Sequence, residues 1–254
     1  MIDGLMPTFA LLARTGAVAL FLIAALARAG DVAPTPNHDD VIAALRDPVD
    51  STGNITDAVE DATGAHGWMS TDMKPIFESR IAGRAARALM RPVLRSDTRK
   101  YQNHLLEILN PADPDGILVY VMQNGLEIAA MGNLMATTAK VRGLEGAVID
   151  GAVRDITEIR QIGFPVSARR VSPATWVDRM VNVDQQIPVL YWGILVNPGD
   201  YVVGDADGVV VVPRTAAGKV LEFLRPYADQ ESRMVPIIRK TGSMLKALER
   251  YNRY

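Results

Sequence analysis

The segment Gly146-Ala-Val-Ile-Asp150-Gly-Ala-Val-Arg154-Asp155-Ile-Thr-Glu158 decides how this chain is read. Its first five residues, 146–150, read as a buried strand with Ala147, Val148 and Ile149 apolar, and 155–162 has helical spacing stopped by Gly163 and Pro165. A strand that is apolar on both faces must be covered on both, and the helix that follows supplies one cover. Upstream, Gly116-Ile-Leu-Val-Tyr-Val-Met122 is a second fully apolar run between turn residues. Gly132 then opens a helix predicted over 133–142, ending before Gly143.

Working outward, the pattern predicts helices over 41–46, 55–63 and 103–109 and a strand over 81–94. Strands follow over 165–168, 188–196, 201–204 and 208–212. The chain closes with helical stretches over 215–224 and 228–240, interrupted at Pro226 and Pro236. Strand–helix alternation in the middle and clustered strands later give an α/β class. The architecture expected is a layered sandwich with a mixed sheet and helices towards both ends, not a doubly wound sheet.

Composition narrows the chemistry. Of 254 residues, 48% are hydrophobic and 22% charged, which suits a globular chain with a large core. Lys plus Arg total 27 against 29 acids, so no broad nucleic-acid footprint is expected. There is no cysteine, which excludes thiolate metal sites, iron–sulfur clusters and a cysteine nucleophile. His38, His66 and His104 are too scattered for a His-x-x-x-His zinc helix. Arg84, Arg87, Arg91 and Arg95 cluster without interleaved aromatics on a presumed strand edge, a solvated or intersubunit face.

Residues 1–38 read as an apolar extension and linker, and 39–254 as a single α/β domain. Arg14 interrupts the apolar stretch, at a cost of about 2.5–3.5 kcal/mol for a spanning helix, so no stable membrane span is expected. Ala27-Arg-Ala29 resembles a signal-peptide cleavage site, yet the segment before Arg14 holds Asp3 and no lysine. The expected location is cytoplasmic, or periplasmic if residues 1–29 are removed.

Two features point to a site. Arg154, Asp155 and Glu158 sit where a buried strand passes into a helix, a usual place for ligands in α/β folds. The carboxylates read either as a sparse Mg²⁺ site or as a capping box that binds nothing. The helix opening at Gly132 presents the free N–H groups of Asn133, Leu134 and Met135, a ready cradle for a small carboxylate. Asp205 and Asp207 read as turn-forming carboxylates, and Lys140 as a solvated lysine. No G-x-G-x-x-G nucleotide loop supports a methyltransferase.

The ordered pieces Thr56-Asp-Ala58, Gly132-Asn-Leu-Met-Ala-Thr-Thr-Ala-Lys-Val-Arg-Gly143, Gly146–Asp155, Gly163-Phe-Pro-Val166 and Pro198-Gly-Asp through Pro213 together resemble one family. It is that of the regulator of ribonuclease activity A and of the 4-hydroxy-4-methyl-2-oxoglutarate and 4-carboxy-4-hydroxy-2-oxoadipate aldolases. The resemblance covers about residues 50–242. It implies a β/β/α sandwich assembled as a homotrimer or homohexamer, and a lyase acting on a keto acid with Mg²⁺ or Mn²⁺. By position it implies that Asp155 ligates the metal and Glu158 holds a metal-associated water. Arg154 would bind the keto oxygen, and Gly132, Asn133, Leu134 and Met135 the pyruvyl carboxylate. Glu231 of a neighbouring subunit, or less closely Glu222, would stand near the metal waters. Cleavage would give pyruvate and a second keto acid, with oxaloacetate decarboxylation as a side activity. Asn133 departs from the acidic residue of many relatives and cannot act as a base at neutral pH. The alternative role within the family is a non-catalytic protein-binding regulator of an RNA-processing enzyme.

Overall fold

All seven residues of Gly116–Met122 are buried, so this segment lies within a sheet that is covered on both faces. The computed structural model describes residues 36–47, 49–93, 104–109, 113–191 and 193–251. The expectations for residues 1–35 and for Arg95 lie outside them. Among the described residues, no helix is long and apolar enough to cross a membrane.

In chain order, α1 (His38–Arg46) and α2 (Thr52–Thr63) precede β1 (Lys74–Pro75) and β2 (Ile81–Pro92). Then come α3 (His104–Glu107), β3 (Gly116–Met122), β4 (Ala129–Met131), α4 (Asn133–Val141), β5 (Gly146–Val153), α5 (Ile156–Ile162) and β6 (Val166–Val171). The last part holds β7 (Met180–Gln185), β8 (Val189–Tyr191), β9 (Ile194–Val196), β10 (Tyr201–Gly204), β11 (Val209–Val212), α6 (Ala217–Thr241) and α7 (Met244–Tyr251). Side chains set the helix ends. Asn37 and Ser51 cap α1 and α2 by accepting from Asp40 and Asn54 N–H, and Gly64 ends α2 at φ 71°.

One mixed sheet runs β1-β6-β5-β3-β2-β10-β11, with β4 added to β5 and β7 to β2. The β2, β3, β5 and β6 pairings are parallel, and β1, β7, β10 and β11 join antiparallel. Inward side chains of β3 and β5 (Ile117, Val119, Val148) share a cluster with Val202, Val209 and Val211 of β10 and β11 and with the β8–β9 hairpin. The sheet therefore curls over its own inner face. On the outer face, α4 and α5 cover β3 and β5 through Ala136, Ala139 and Ile159. Helices α1, α2 and α6 cover β10 and β11 through Leu45, Ile55, Val59 and Leu224. The expected layered β/β/α sandwich with a mixed sheet is the observed fold.

Three expectations are corrected. The presumed strand edge bearing Arg84, Arg87 and Arg91 is a central strand, and Arg87 is wholly buried instead of solvated. β10 pairs with β2 only as far as Arg84, and β7 takes over at Ala88. Near this change of partner, Arg87 Nε donates to the Ile187 carbonyl at 3.0 Å, and Nη1 to those of Ala85 at 3.0 Å and Asn197 at 2.7 Å. The run 188–196 is a hairpin, turned through Gly193 at φ 86°, not one strand. Helix α6 passes through Pro226 and Pro236 without a break. Each proline removes one helical hydrogen bond, a cost of about 3 kcal/mol, but Val220, Leu221, Leu224 and Tyr227 are buried on the helical layer and offset it. Strands β1, β4 and β7 and helix α7 were not anticipated from the pattern.

A second buried cation pins β5 to β6. Arg169 Nη1 donates to Asp150 and Nε to Asp72, each at 2.9 Å. The Arg169 hydrogen bond holds the Asp72 carboxyl down at about 2, while burial pushes Asp150 up.

Arg87→Met is expected to destabilise the fold by at least about 3 kcal/mol in urea unfolding, because three buried carbonyls lose their donor. The stabilisation from Asp72 is complete above its ordinary value of 3.8 and is lost as pH falls towards about 2. Arg169→Met should remove that acid-side slope from melting temperatures read over about pH 2 to 6, and lower stability by about 3–5 kcal/mol.

Candidate functional site

Strand β5 ends at Val153 and delivers Arg154 and Asp155 to its C-terminal end. Asp155 adopts the left-handed conformation, φ 58°, which an aspartate tolerates better than a bulky residue. Its side chain makes no bond to its own helix, so the capping-box geometry is not formed. Instead Asp155 Oδ2 accepts the Asn133 N–H at 3.0 Å and lies 3.7 Å from Arg154 Nε. The Arg154 N–H donates to the Met131 carbonyl at 3.0 Å and locks β4 to the same corner.

Helix α4 starts opposite. Gly132 is extended and supplies no side-chain cap, which leaves the Leu134 and Met135 amides without an intrahelical acceptor. A Cβ on Gly132 would stand 2.4 Å from Asp155 Oδ2 and 3.0 Å from Arg154 Nε. Only glycine allows the three groups to converge.

A cavity of about 220 Å³ opens on this corner. Gly132, Asn133, Leu134, Met135, Arg154 and Asp155 line one part, and Leu106, Thr175, Trp176 and Val177 line another. Arg154 and Asp155 retain 42% and 34% of their side-chain exposure, so both can reach a solute. Sequence reasoning missed the second group. Its signal was the lone Trp176 after Ser172-Pro-Ala-Thr, an aromatic in a stretch otherwise read as a connection. That loop is fastened by the Ala129 N–H to the Ala174 carbonyl, 2.7 Å, and by Arg179 Nη1 to the Thr175 carbonyl, 3.0 Å.

The remaining candidates lie elsewhere. Glu158 is exposed in the first turn of α5 and does not line the cavity. Glu231 is on α6, where it accepts from Asn54 Nδ2 at 3.2 Å, and Glu222 is exposed on the same helix. Among the described residues no three His, Asp or Glu side chains gather into a metal cage. Asp155 alone at the cavity fits the chemistry of Mg²⁺, which takes one or two carboxylates and keeps several waters. Asp205 forms the turn expected of it, accepting from Asp207 N–H at 2.9 Å and from Thr52 Oγ1 at 2.6 Å. Lys140 reaches the Ile162 carbonyl at the end of α5.

Gly132→Ala is expected to fold normally, since the atoms it meets are side-chain ends, and to lose affinity for a small dicarboxylate such as oxalate by about 10²-fold in calorimetry with Mg²⁺.

Residues 52–211 match the RraA-like family, described as Aldolase/RraA. An uncharacterized protein of Methanocaldococcus jannaschii is 32% identical over 132 residues, which are 51% of this chain and 62% of that one. A protein of Halalkalibacterium halodurans named "Putative 4-hydroxy-4-methyl-2-oxoglutarate aldolase" is 29% identical over 180 residues, 70% of this chain and 80% of that one. The crystal structure of Streptomyces coelicolor RraAS2, titled an unusual member of the RNase ES inhibitor RraA protein family, shares the fold. Its TM-score is 0.67 at 23% identity, over 78% of this chain and 98% of that one. With the family model matching residues 52–211, more than half its length, the chain belongs to the RraA-like family.

Proposed function

We propose that the protein is a divalent-metal-dependent aldolase that cleaves a 4-hydroxy-2-oxo acid to pyruvate and a second keto acid, and that also decarboxylates oxaloacetate. The observation that carries this reading is the Asp155 carboxylate, which leaves its own helix uncapped and turns to the corner where Arg154 and the start of α4 converge. A relative named as a putative aldolase of 4-hydroxy-4-methyl-2-oxoglutarate supports the reaction class.

Asp155 would hold a Mg²⁺ or Mn²⁺ ion, which would supply Lewis acidity at the 2-keto oxygen. The chain's own residues do the rest. The Leu134 and Met135 amides and the positive end of α4 take the carboxylate of the pyruvyl half. Arg154 donates to the 2-keto oxygen and stabilises the negative charge that develops there as the C3–C4 bond breaks. Asn133 carries an amide and not a carboxylate, so it positions substrate and takes no proton.

Pyruvate release from oxaloacetate should require Mg²⁺ or Mn²⁺ and stop with chelator. Asp155→Ala should lower it by at least about 10²-fold with the melting temperature retained. Undiminished turnover by that variant would reject the site. A protein devoid of lyase activity that captures an RNA-processing enzyme would instead point to the regulatory role.

A further inference from the structure

Strand β5 changes its pairing on both sides at one place. On one side it pairs with β3 as far as Asp150, opposite Val121, and from Ala152 with β4, opposite Ala129. On the other side its partner is β6 throughout, but Ile149 lies opposite Ala168 and Ala152 opposite Arg170. β5 thus takes three steps while β6 takes two, and Asp150 and Gly151 together face Arg169. One extra residue bends a strand, increases its twist and re-aims the side chains beyond it. The side chains beyond this bulge include Arg154 and Asp155.

Charge holds the bulge in place. Asp150, whose side chain keeps 13% of its exposure, accepts from Arg169 Nη1 at 2.9 Å. Arg169 is itself tied by Nε to Asp72 at 2.9 Å, ahead of β1, so the clamp is anchored outside the two strands that it joins. Gly151 has no side chain with which to take part, and a Cβ there would stand 2.6 Å from Met122 Cγ at the end of β3.

We infer that Asp150 and Arg169 are positioning residues: their ion pair fixes the bend in β5 that brings Arg154 and Asp155 against the start of α4. The effect on turnover rests on the proposed aldolase reading, whereas the bend does not depend on what the corner binds. Neither Asp150 nor Arg169 is among the described residues that line the cavity, so both act through Arg154 and Asp155. Without the Asp150 carboxylate, Arg169 is held by Asp72 alone and β5 is free to relax towards regular pairing with β6. A displacement of about 1 Å in reacting groups costs about 10²-fold in rate.

The test uses the Mg²⁺-loaded full chain and three variants. Asp150→Ala removes the acceptor, Asp150→Asn keeps an acceptor for Nη1 without the charge, and Val148→Ala loosens the same strand away from the pair. Two readouts separate positioning from stability. One is kcat and KM for oxaloacetate decarboxylation. The other is hydrogen exchange of the Asn133 and Arg154 amides, which donate to Asp155 Oδ2 and the Met131 carbonyl, relative to amides of β3. Asp150→Ala should lower kcat by at least about tenfold with little change in KM, and should speed exchange at both amides by at least about tenfold. Asp150→Asn should recover part of each, and Val148→Ala should lower the melting temperature without either effect. If Asp150→Ala turns over like the parent, or Val148→Ala loses as much kcat, the inference falls and the aldolase reading stands. If the parent protein does not decarboxylate oxaloacetate, the aldolase reading falls and exchange decides: faster exchange in Asp150→Ala upholds the positioning role, and unchanged protection overturns it. Should Asp150→Ala fail to fold, Asp150→Asn against the parent carries the same comparison.

Discussion

Arg87 places a permanent charge where water does not reach, and the carbonyls of Ala85, Ile187 and Asn197 accept its hydrogen bonds. Burial lowers the guanidinium's affinity for its proton, but its ordinary value is so high that the group stays charged. A buried charge is tolerable only when its donors are matched, and this one is matched by backbone that the sheet itself leaves open. β2 changes partner there, from β10 to β7. That change lets β10 and β11 fold back over the inner faces of β3 and β5 instead of extending a flat sheet. Both faces of the parallel strands are then sealed, and the strands are open at their ends. The site lies at one of those ends.

At that end three local choices depend on one another. Gly132 has no Cβ, so the Arg154 and Asp155 side chains can approach α4. Asp155 takes a left-handed backbone, which aims its carboxylate at Asn133 and not at its own helix. Backbone conformations of this kind cost about 1–3 kcal/mol and persist where the surroundings over-determine them. Here β4, β5 and α4 do so, through the Met131–Arg154 and Asn133–Asp155 hydrogen bonds. The corner is therefore preorganised before any ligand arrives.

Much of this was legible in the residues. Gly116–Met122 and Tyr201–Gly204 are strands over the ranges that apolarity and turn residues predict, because burial on both faces leaves no ambiguity of period. Glycine punctuation located α4 and α5 to within a residue at most ends. The failures share a cause, which is that tertiary partners are invisible to a local pattern. Pro226 and Pro236 are breakers by local rule, yet α6 is held by what it packs against. The spacing of Asp155 and Glu158 fits a capping box, and nothing in it reveals the sign of φ at Asp155. Met180–Gln185 alternates too weakly to announce a strand, and it exists because β2 is long enough to pair beyond β10. In the site, Arg154, Asp155 and the start of α4 were visible because they adjoin glycines, whereas Trp176 is brought to them by a loop bridged to Ala129.

The helical layer made by α1, α2 and α6 joins residues near 41–59 to residues near 201–227. During translation, Val41, Leu45, Ile55 and Val59 leave the ribosome well over a hundred residues before the surface that buries them exists. They must wait, exposed, until the last third of the polypeptide has emerged. Such long-range closure makes folding slow and the nascent chain prone to association. Loss of the final helices would thus be felt first by the earliest ones, which would keep only the strands beneath them.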